Sequence, residues 1–169
     1  PDGAKLSKRH GALGVEAYRD MGFLPEAMRN YLSRLGWSHG DDEIFSDAQA
    51  ISWFDVKDIN RSAARLDLAK LSSVNAHYIK ESSAERLVEL TTPGIEKAIG
   101  ATLPETSVAR LIRGMPGLKP RAKTLVELAE ISAFYVRPRP IPIDAQARKI
   151  LTEGGATTIS DLLPQLQAH

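Results

Sequence analysis

The chain has 169 residues, of which 43% are hydrophobic and 25% charged, a balance that excludes a disordered polypeptide and fits one ordinary domain or two small ones. Its 22 basic and 21 acidic residues give a formal net charge of +1, so bulk charge lends no support to nucleic-acid binding, and an RNA surface must come from uneven placement of charge. Cysteine is absent, which excludes disulfides and thiolate zinc sites, and no apolar run approaches the roughly 20 residues needed to span a bilayer.

In chain order, the first element is a basic segment, Lys5-Leu6-Ser7-Lys8-Arg9-His10, set between Gly3 and Gly11. No apolar period runs through it, so it reads as a loop. Two readings stand: a solvated basic loop, or a glycine-hinged clamp whose cations converge on a polyphosphate or a phosphodiester backbone. The other phosphate signatures, G-x-x-x-x-G-K-[ST] and G-x-G-x-x-G, are absent. A short helix is expected from about Gly14 to Met21. Next, Leu24, Ala27, Met28, Tyr31, Leu32 and Leu35 recur at helical spacing and define one apolar face. Pro25 stands near the start of this helix, Gly36 is placed to end it in a left-handed cap, and Arg29 and Arg34 fall off the face and should be exposed. A third helix is expected over Asp47 to Phe54 with Ser46 as N-cap. Trp37 and Trp53 read as structural, Trp53 in an apolar cluster with Ile51 and Phe54. His39 with Asp41, Asp42 and Glu43 lacks a second histidine or a helical i, i+4 pair, so Asp41 and Asp42 read as a turn rather than a metal site.

A short strand is expected near Ile59 to Ser62. Leu68, Leu71, Asn75, Tyr78 and Ile79 mark a helix from about Asp67 to Lys80; Ser82 or Ser83 caps another, with Leu87 and Val88 facing inward. Interruptions at Thr92-Pro93-Gly94 and at Gly100 to Pro104 place a domain boundary there, dividing the chain into 1–95 and 96–169. Beyond it the pattern stays helical. Val108, Leu111 and Ile112 form one stripe; Leu125, Leu128, Ala129 and Ser132 form another, widened by Ile131, Phe134 and Tyr135. Gly114, Pro116, Gly117 and Pro120 should break the chain between them, and Pro138, Pro140 and Pro142 should break it again. Helices at about Asp144 to Glu153 and Ser160 to Gln167 complete the pattern.

The segment Lys5-Leu6-Ser7-Lys8-Arg9 resembles the KMSKS signature of class I aminoacyl-tRNA synthetases, and the variant with Leu second, Arg last and His-Gly following resembles the glutamyl-tRNA synthetases. The text downstream agrees in order and spacing: Tyr18-Arg19, Gly22-Phe23-Leu24-Pro25-Glu26-Ala27, Asn30-Tyr31-Leu32, Leu35-Gly36-Trp37-Ser38 and Glu43-Ile44-Phe45-Ser46. The likeness is close over residues 5 to 46 and looser to about residue 153. No His-x-Gly-His signature stands upstream, and the chain begins at Pro1, almost at the loop. It is therefore expected to be a C-terminal fragment, separated from its nucleotide-binding domain.

The resemblance implies a mainly α fold, with a small β-α-α-β-α stem-contact unit followed by a helical anticodon-binding bundle. One strand of the unit would come from the flank of the lysine loop. It implies an ATP-dependent ligase in which glutamyl adenylate forms with release of pyrophosphate, and the glutamyl group then passes to tRNA. ATP is the substrate, with Mg2+ accompanying it, and the fragment alone should hold neither and be inactive. Lys8 and Lys5 would be the catalytic residues, with Lys5, Ser7, Lys8 and Arg9 on ATP. Flexible ammonium groups can follow the charge that builds on departing phosphates. Arg9 departs from the general motif's final serine but is usual in the glutamyl and glutaminyl branch; His10 carries no assigned role.

The RNA contacts implied are Arg61, Arg65 and Lys70 along the inside of the tRNA bend, with His77 and Lys80 nearby, and Lys119, Arg121 and Lys123 where the anticodon-binding helices start. Contacts of the first set should be mostly to phosphate and 2′-hydroxyl. Three cations at a helix start are electrostatically misplaced, which hints at a bound anion. By position Arg121 resembles the arginine that reads the third anticodon base. Arg137 and Arg139 read as a solvated linker. The family usually has an aromatic residue where this chain has Ser73. The partner expected is a glutamate tRNA, and the sequence leaves open whether a glutamine tRNA is charged as well; DNA and membrane are not expected, and the expected location is cytoplasmic. Two alternatives remain. One is a glutaminyl-tRNA synthetase fragment, whose anticodon region is built from β-barrels, against the helical periods after residue 100. The other is a non-catalytic helical interaction or RNA-binding module, which leaves the ordered matches without an account.

Overall fold

The computed structural model describes residues 14–61, 64–137, 140–141 and 143–167. Lys5, Ser7, Lys8, Arg9 and His10 lie outside the described residues, as does Arg139. The chain divides into two units, 1–136 and 137–169. The first carries α1 (Val15–Asp20), α2 (Pro25–Gly36), α3 (Asp47–Trp53), α4 (Leu68–Glu81), α5 (Ala84–Ile99), α6 (Glu105–Leu118) and α7 (Leu125–Ala133). The second carries α8 (Ala145–Ile150) and α9 (Ala156–Gln167), with a kink between them at Glu153 and Gly154, where Gly154 takes φ 106°. The fold is mainly α, as the periodicity predicts, and the described residues contain no sheet.

Sequence and helix ends agree in most places. Pro25 opens α2, where its missing N–H costs nothing. Ser46 and Gln49 form a reciprocal capping box at α3, Asp67 accepts from Ala69 and Lys70 at α4, and Ser83 accepts from Arg86 at α5. The first unit is closed by one core, in which Leu24, Leu71, Ile79, Leu87, Ile95, Leu111, Met115 and Leu128 are fully buried.

The differences have local causes. Gly36 does not take a left-handed cap; Trp37 leaves α2 directly in extended conformation, because its indole is buried and its backbone bridges Ile59. Leu32 is not on the inner face but 46% exposed. Ile51 and Phe54 do not cluster inside: they are 80% and 52% exposed and line an open apolar groove with Gly36, Trp37, Ala50 and Ile59. The strand expected at Ile59 to Ser62 reduces to one antiparallel bridge, Trp37 to Ile59, beside a bond from Asn60 N to Gly36 O at 2.8 Å. Asp55 accepts from Lys57 N at 2.9 Å and winds Val56–Asp58 into a 3-10 turn, which consumes the residues that would have extended the pairing. The strand expected from the lysine loop's flank falls largely outside the described residues.

Two expected breaks are helical. α5 runs through Thr92-Pro93-Gly94 to Ile99 and ends at Gly100, φ 71°. Pro93 is exposed, so its ring meets no packing obstacle, and the Thr91 and Thr92 hydroxyls donate back to the Leu87 and Val88 carbonyls at 2.6 and 2.7 Å. α6 likewise continues through Gly114, Pro116 and Gly117, since burial of Met115 and Leu118 rewards the extra turn. Tyr135 packs over Gly114, where a Cβ would come within 2.6 Å of its ring, whereas Phe134 is 61% exposed rather than part of the inner face.

Gly22 is the tightest position. It has φ 85°, and a Cβ there would stand 2.7 Å from Val126 N and 2.8 Å from Leu125 N. Gly100 has φ 71° but open space around it. Gly22→Ala should therefore cost several-fold more in urea-unfolding free energy than Gly100→Ala, whose loss should stay near the roughly 1 kcal/mol of a strained backbone alone. Equal losses would show that the approach of α7 to Gly22 is not tight.

Candidate nucleic-acid interface

The candidate cations lie on two segments far apart in sequence. Arg61 and Arg65 are exposed on the stretch leading into α4. Lys70 lies in the first turn of α4 and pairs with Glu43 at 2.7 Å, an exposed contact that solvent screens. His77 and Lys80 are exposed farther along the helix. Ser73, where the aromatic residue was expected, is exposed and donates its hydroxyl to Ala69 O at 3.1 Å.

The second segment is placed differently from the expectation. Lys119–Arg121 is a 3-10 turn continuing the C-terminal end of α6, and α7 begins only at Leu125 with Thr124 as N-cap. Cations at a helix C-terminus are favoured by the helix dipole. Lys119 and Arg121 are therefore not misplaced charges, and the helix end gives them a local reason to be basic. Lys119 is half-buried and donates to Ser82 O at 3.0 Å. Arg121 and Lys123 are exposed; the Lys123 backbone N–H donates to Glu127 Oε2 at 2.7 Å.

Packing joins the two segments. α4 lies against the Lys119–Arg121 turn. Asn75, fully buried on α4, donates to Lys123 O at 2.6 Å and to Gly22 O at 3.3 Å and accepts from Leu24 N at 2.7 Å. In the sequence Asn75 marks only the inner face of a helix, yet a carboxamide on an otherwise apolar stripe is itself the signal of a buried polar junction. A second network starts at Glu26, whose carboxylate takes a 2.6 Å bond from Arg86; Arg86 also reaches Ser82 Oγ at 3.1 Å, beside the Lys119 contact. Tyr78 donates its hydroxyl to Phe45 O at 2.7 Å and lies 2.9 Å from Asn30 Oδ1, which fixes the loop between α2 and α3. His39 stacks on Trp53 with centroids 4.2 Å apart and contacts Asp42 at 3.0 Å; Asp42 N closes a turn on His39 O. Among the described residues no group of three or more His, Cys, Asp and Glu side chains is gathered for a metal. Nor, among them, is any helix long and apolar enough to cross a membrane.

Burial alone would raise the Glu26 carboxyl pKa, but the Arg86 hydrogen bond and charge, with help from Arg29, hold it below the usual carboxylate range. A depressed folded-state pKa contributes stability above the ordinary carboxylate range and loses it as pH falls through the depressed value. Glu26→Gln should thus lower unfolding free energy near neutrality by up to about 1 kcal/mol after solvent screening. The gap to wild type should close as pH drops below the carboxylate range in urea titrations; a pH-independent gap would rule out the ion pair as its source.

Comparison with known proteins fits this arrangement. The family model for tRNA synthetases class I (E and Q), catalytic domain, matches residues 1–73, and the model for the anticodon binding domain matches residues 65–169. The glutamate–tRNA ligase 2 of Rhodospirillum rubrum is 57% identical over 165 residues, covering 98% of this chain and 35% of that protein. The glutamate–tRNA ligase 2 of Paramagnetospirillum magneticum is 58% identical over 157 residues, covering 93% of this chain and 33% of that protein. Among solved structures, a glutamate tRNA ligase from Elizabethkingia meningosepticum superposes with a TM-score of 0.67 at 25% identity, over 98% of this chain and 36% of that one. The chain spans about a third of the length of the curated relatives it matches. With the anticodon binding domain model matching residues 65–169, more than half of the chain, the chain belongs to the anticodon binding domain family.

Proposed function

We propose that this chain forms the part of a glutamate–tRNA ligase that joins the lysine loop to the anticodon-binding helices. The single observation that carries the reading is the overlap of the two family matches over residues 65–73, which run into α4, the helix that packs against α2 and against the Lys119–Arg121 turn. The ligase activates glutamate with ATP, releases pyrophosphate and transfers the glutamyl group to a glutamate tRNA in the cytoplasm.

In that reading the ammonium of Lys8 follows the charge developing on the departing β- and γ-phosphates. Lys5 holds the loop, and Ser7 and Arg9 contact the ATP phosphates, with Mg2+ accompanying the nucleotide. These roles rest on the motif. The adenine, ribose and glutamate contacts belong to the nucleotide-binding domain, so residues 1–169 alone should exchange no pyrophosphate into ATP. Residues 1–95 supply the loop and stem contacts, and 96–169 supply part of the anticodon contacts.

On the RNA side, Arg61, Arg65, Arg121 and Lys123 are the exposed candidates for phosphate. Lys70 and Lys119 already hold Glu43 and Ser82, so their net contribution is smaller. Titration with a glutamate tRNA and an unrelated tRNA across a salt series tests the proposal. Saturable binding that prefers the glutamate tRNA and weakens with salt is expected, and Arg121→Ala should reduce the salt slope by about one. Absence of binding at low salt would remove the RNA role and favour an interaction module.

A further inference from the structure

We infer that Asn75 is a positioning residue that couples the anticodon-binding helices to the segment leading from the lysine loop, an inference that rests on the ligase reading above. Its side chain is wholly enclosed, so water does not satisfy it. The amide oxygen accepts from Leu24 N at 2.7 Å; the amide nitrogen donates to Gly22 O at 3.3 Å and to Lys123 O at 2.6 Å. A fourth bond closes the joint directly: Leu125 N donates to Gly22 O at 2.9 Å.

Only a carboxamide of this length offers an acceptor and two donors at once. Aspartate keeps the acceptor, loses both donors and buries a charge against two carbonyls. The three partners belong to two working parts. Gly22 follows α1, which directly succeeds the lysine-loop segment, and Leu24 is the N-cap of α2. Lys123 ends the basic stretch that begins at Lys119 and leads into α7. The catalytic-domain match ends at residue 73 and the anticodon match begins at 65, so Asn75 stands beside the overlap. Gly22 has no slack there, since even a Cβ would meet the first backbone nitrogens of α7. A shift of the Lys119–Lys123 stretch on RNA binding therefore moves Gly22, and with it α1, as long as the carboxamide holds both carbonyls. Without it, the Leu125–Gly22 bond still joins α7 to Gly22, but the Lys123 carbonyl is no longer tied to the Gly22 and Leu24 backbone, and the effect of the RNA-side contacts on the chemistry weakens.

The test uses the full-length ligase that carries this chain, with a glutamate tRNA and the same tRNA bearing a replaced anticodon. In wild type the replacement should raise KM and lower kcat. In Asn75→Ala and Asn75→Asp the KM difference should persist while the kcat difference shrinks by roughly fivefold or more. Leu111→Ala, a fully buried core truncation in α6, is the control for plain destabilisation and should leave both ratios as in wild type. A kcat ratio unchanged in the Asn75 variants, or equally reduced in Leu111→Ala, overturns the inference while leaving the ligase reading intact. A wild-type enzyme that charges neither RNA overturns the ligase reading itself. If neither Asn75 variant folds, amide exchange in wild type decides: anticodon stem-loop RNA should slow exchange of the Leu24 and Leu125 amides several-fold, and unchanged exchange overturns the coupling.

Discussion

A carboxamide sealed inside a protein must find partners for its oxygen and both of its hydrogens, or the fold loses the cost of stripping its water. Asn75 meets that condition with backbone groups from Gly22, Leu24 and Lys123. The rest of the first unit is arranged around this requirement. α2 must begin where Leu24 N can donate, the turn before it must present the Gly22 carbonyl, and the stretch before α7 must bring in Lys123. Apolar burial supplies most of the drive for packing α2, α4, α5, α6 and α7, but it is non-directional. The hydrogen bonds of Asn75 choose one register among packings that would bury similar area.

Close backbone approach is the second constraint. Gly94 on α5 lies where a Cβ would be 2.8 Å from the Ala129 Cβ on α7, and α5 with α7 forms the most extensive helix pair of the unit. Small residues at the crossing let the helices touch along their backbones, which places the N-terminus of α7 against Gly22. The placement of the basic stretch Lys119–Lys123 is thus a result of core packing and of the α6 C-terminus, not of loop composition.

Much of this was legible in the sequence. The helices of the first unit and most of their caps follow from apolar spacing and from Ser46, Asp67 and Ser83, because helix signals are local. Proline is a weaker break than its local chemistry suggests: Pro93 and Pro116 lie within helices whose buried faces, with Ile95 and Met115, outweigh one lost hydrogen bond each. The pattern near Ile59 suggests a strand where the chain forms a single bridge to Trp37, since strand pairing depends on a distant partner that spacing alone does not reveal. Arg61, Arg65 and Arg121 can be named as cations from the chain, and they are exposed. That Lys70 and Lys119 are tied to Glu43 and Ser82 cannot, because those partners are remote in sequence.

The bond from Leu125 N to Gly22 O has a consequence for how such a chain is made. During synthesis, α1 and α2 leave the ribosome on the order of a hundred residues before α7. Until α7 arrives, the Gly22 carbonyl has no Leu125 amide and Asn75 has no Lys123 carbonyl. The early helices can form, since their contacts are local, yet they wait as an open-sided assembly with an unfilled polar pocket. Completion of the first unit is therefore a late event, and nascent chains halted before Leu125 are the species on which a chaperone would act.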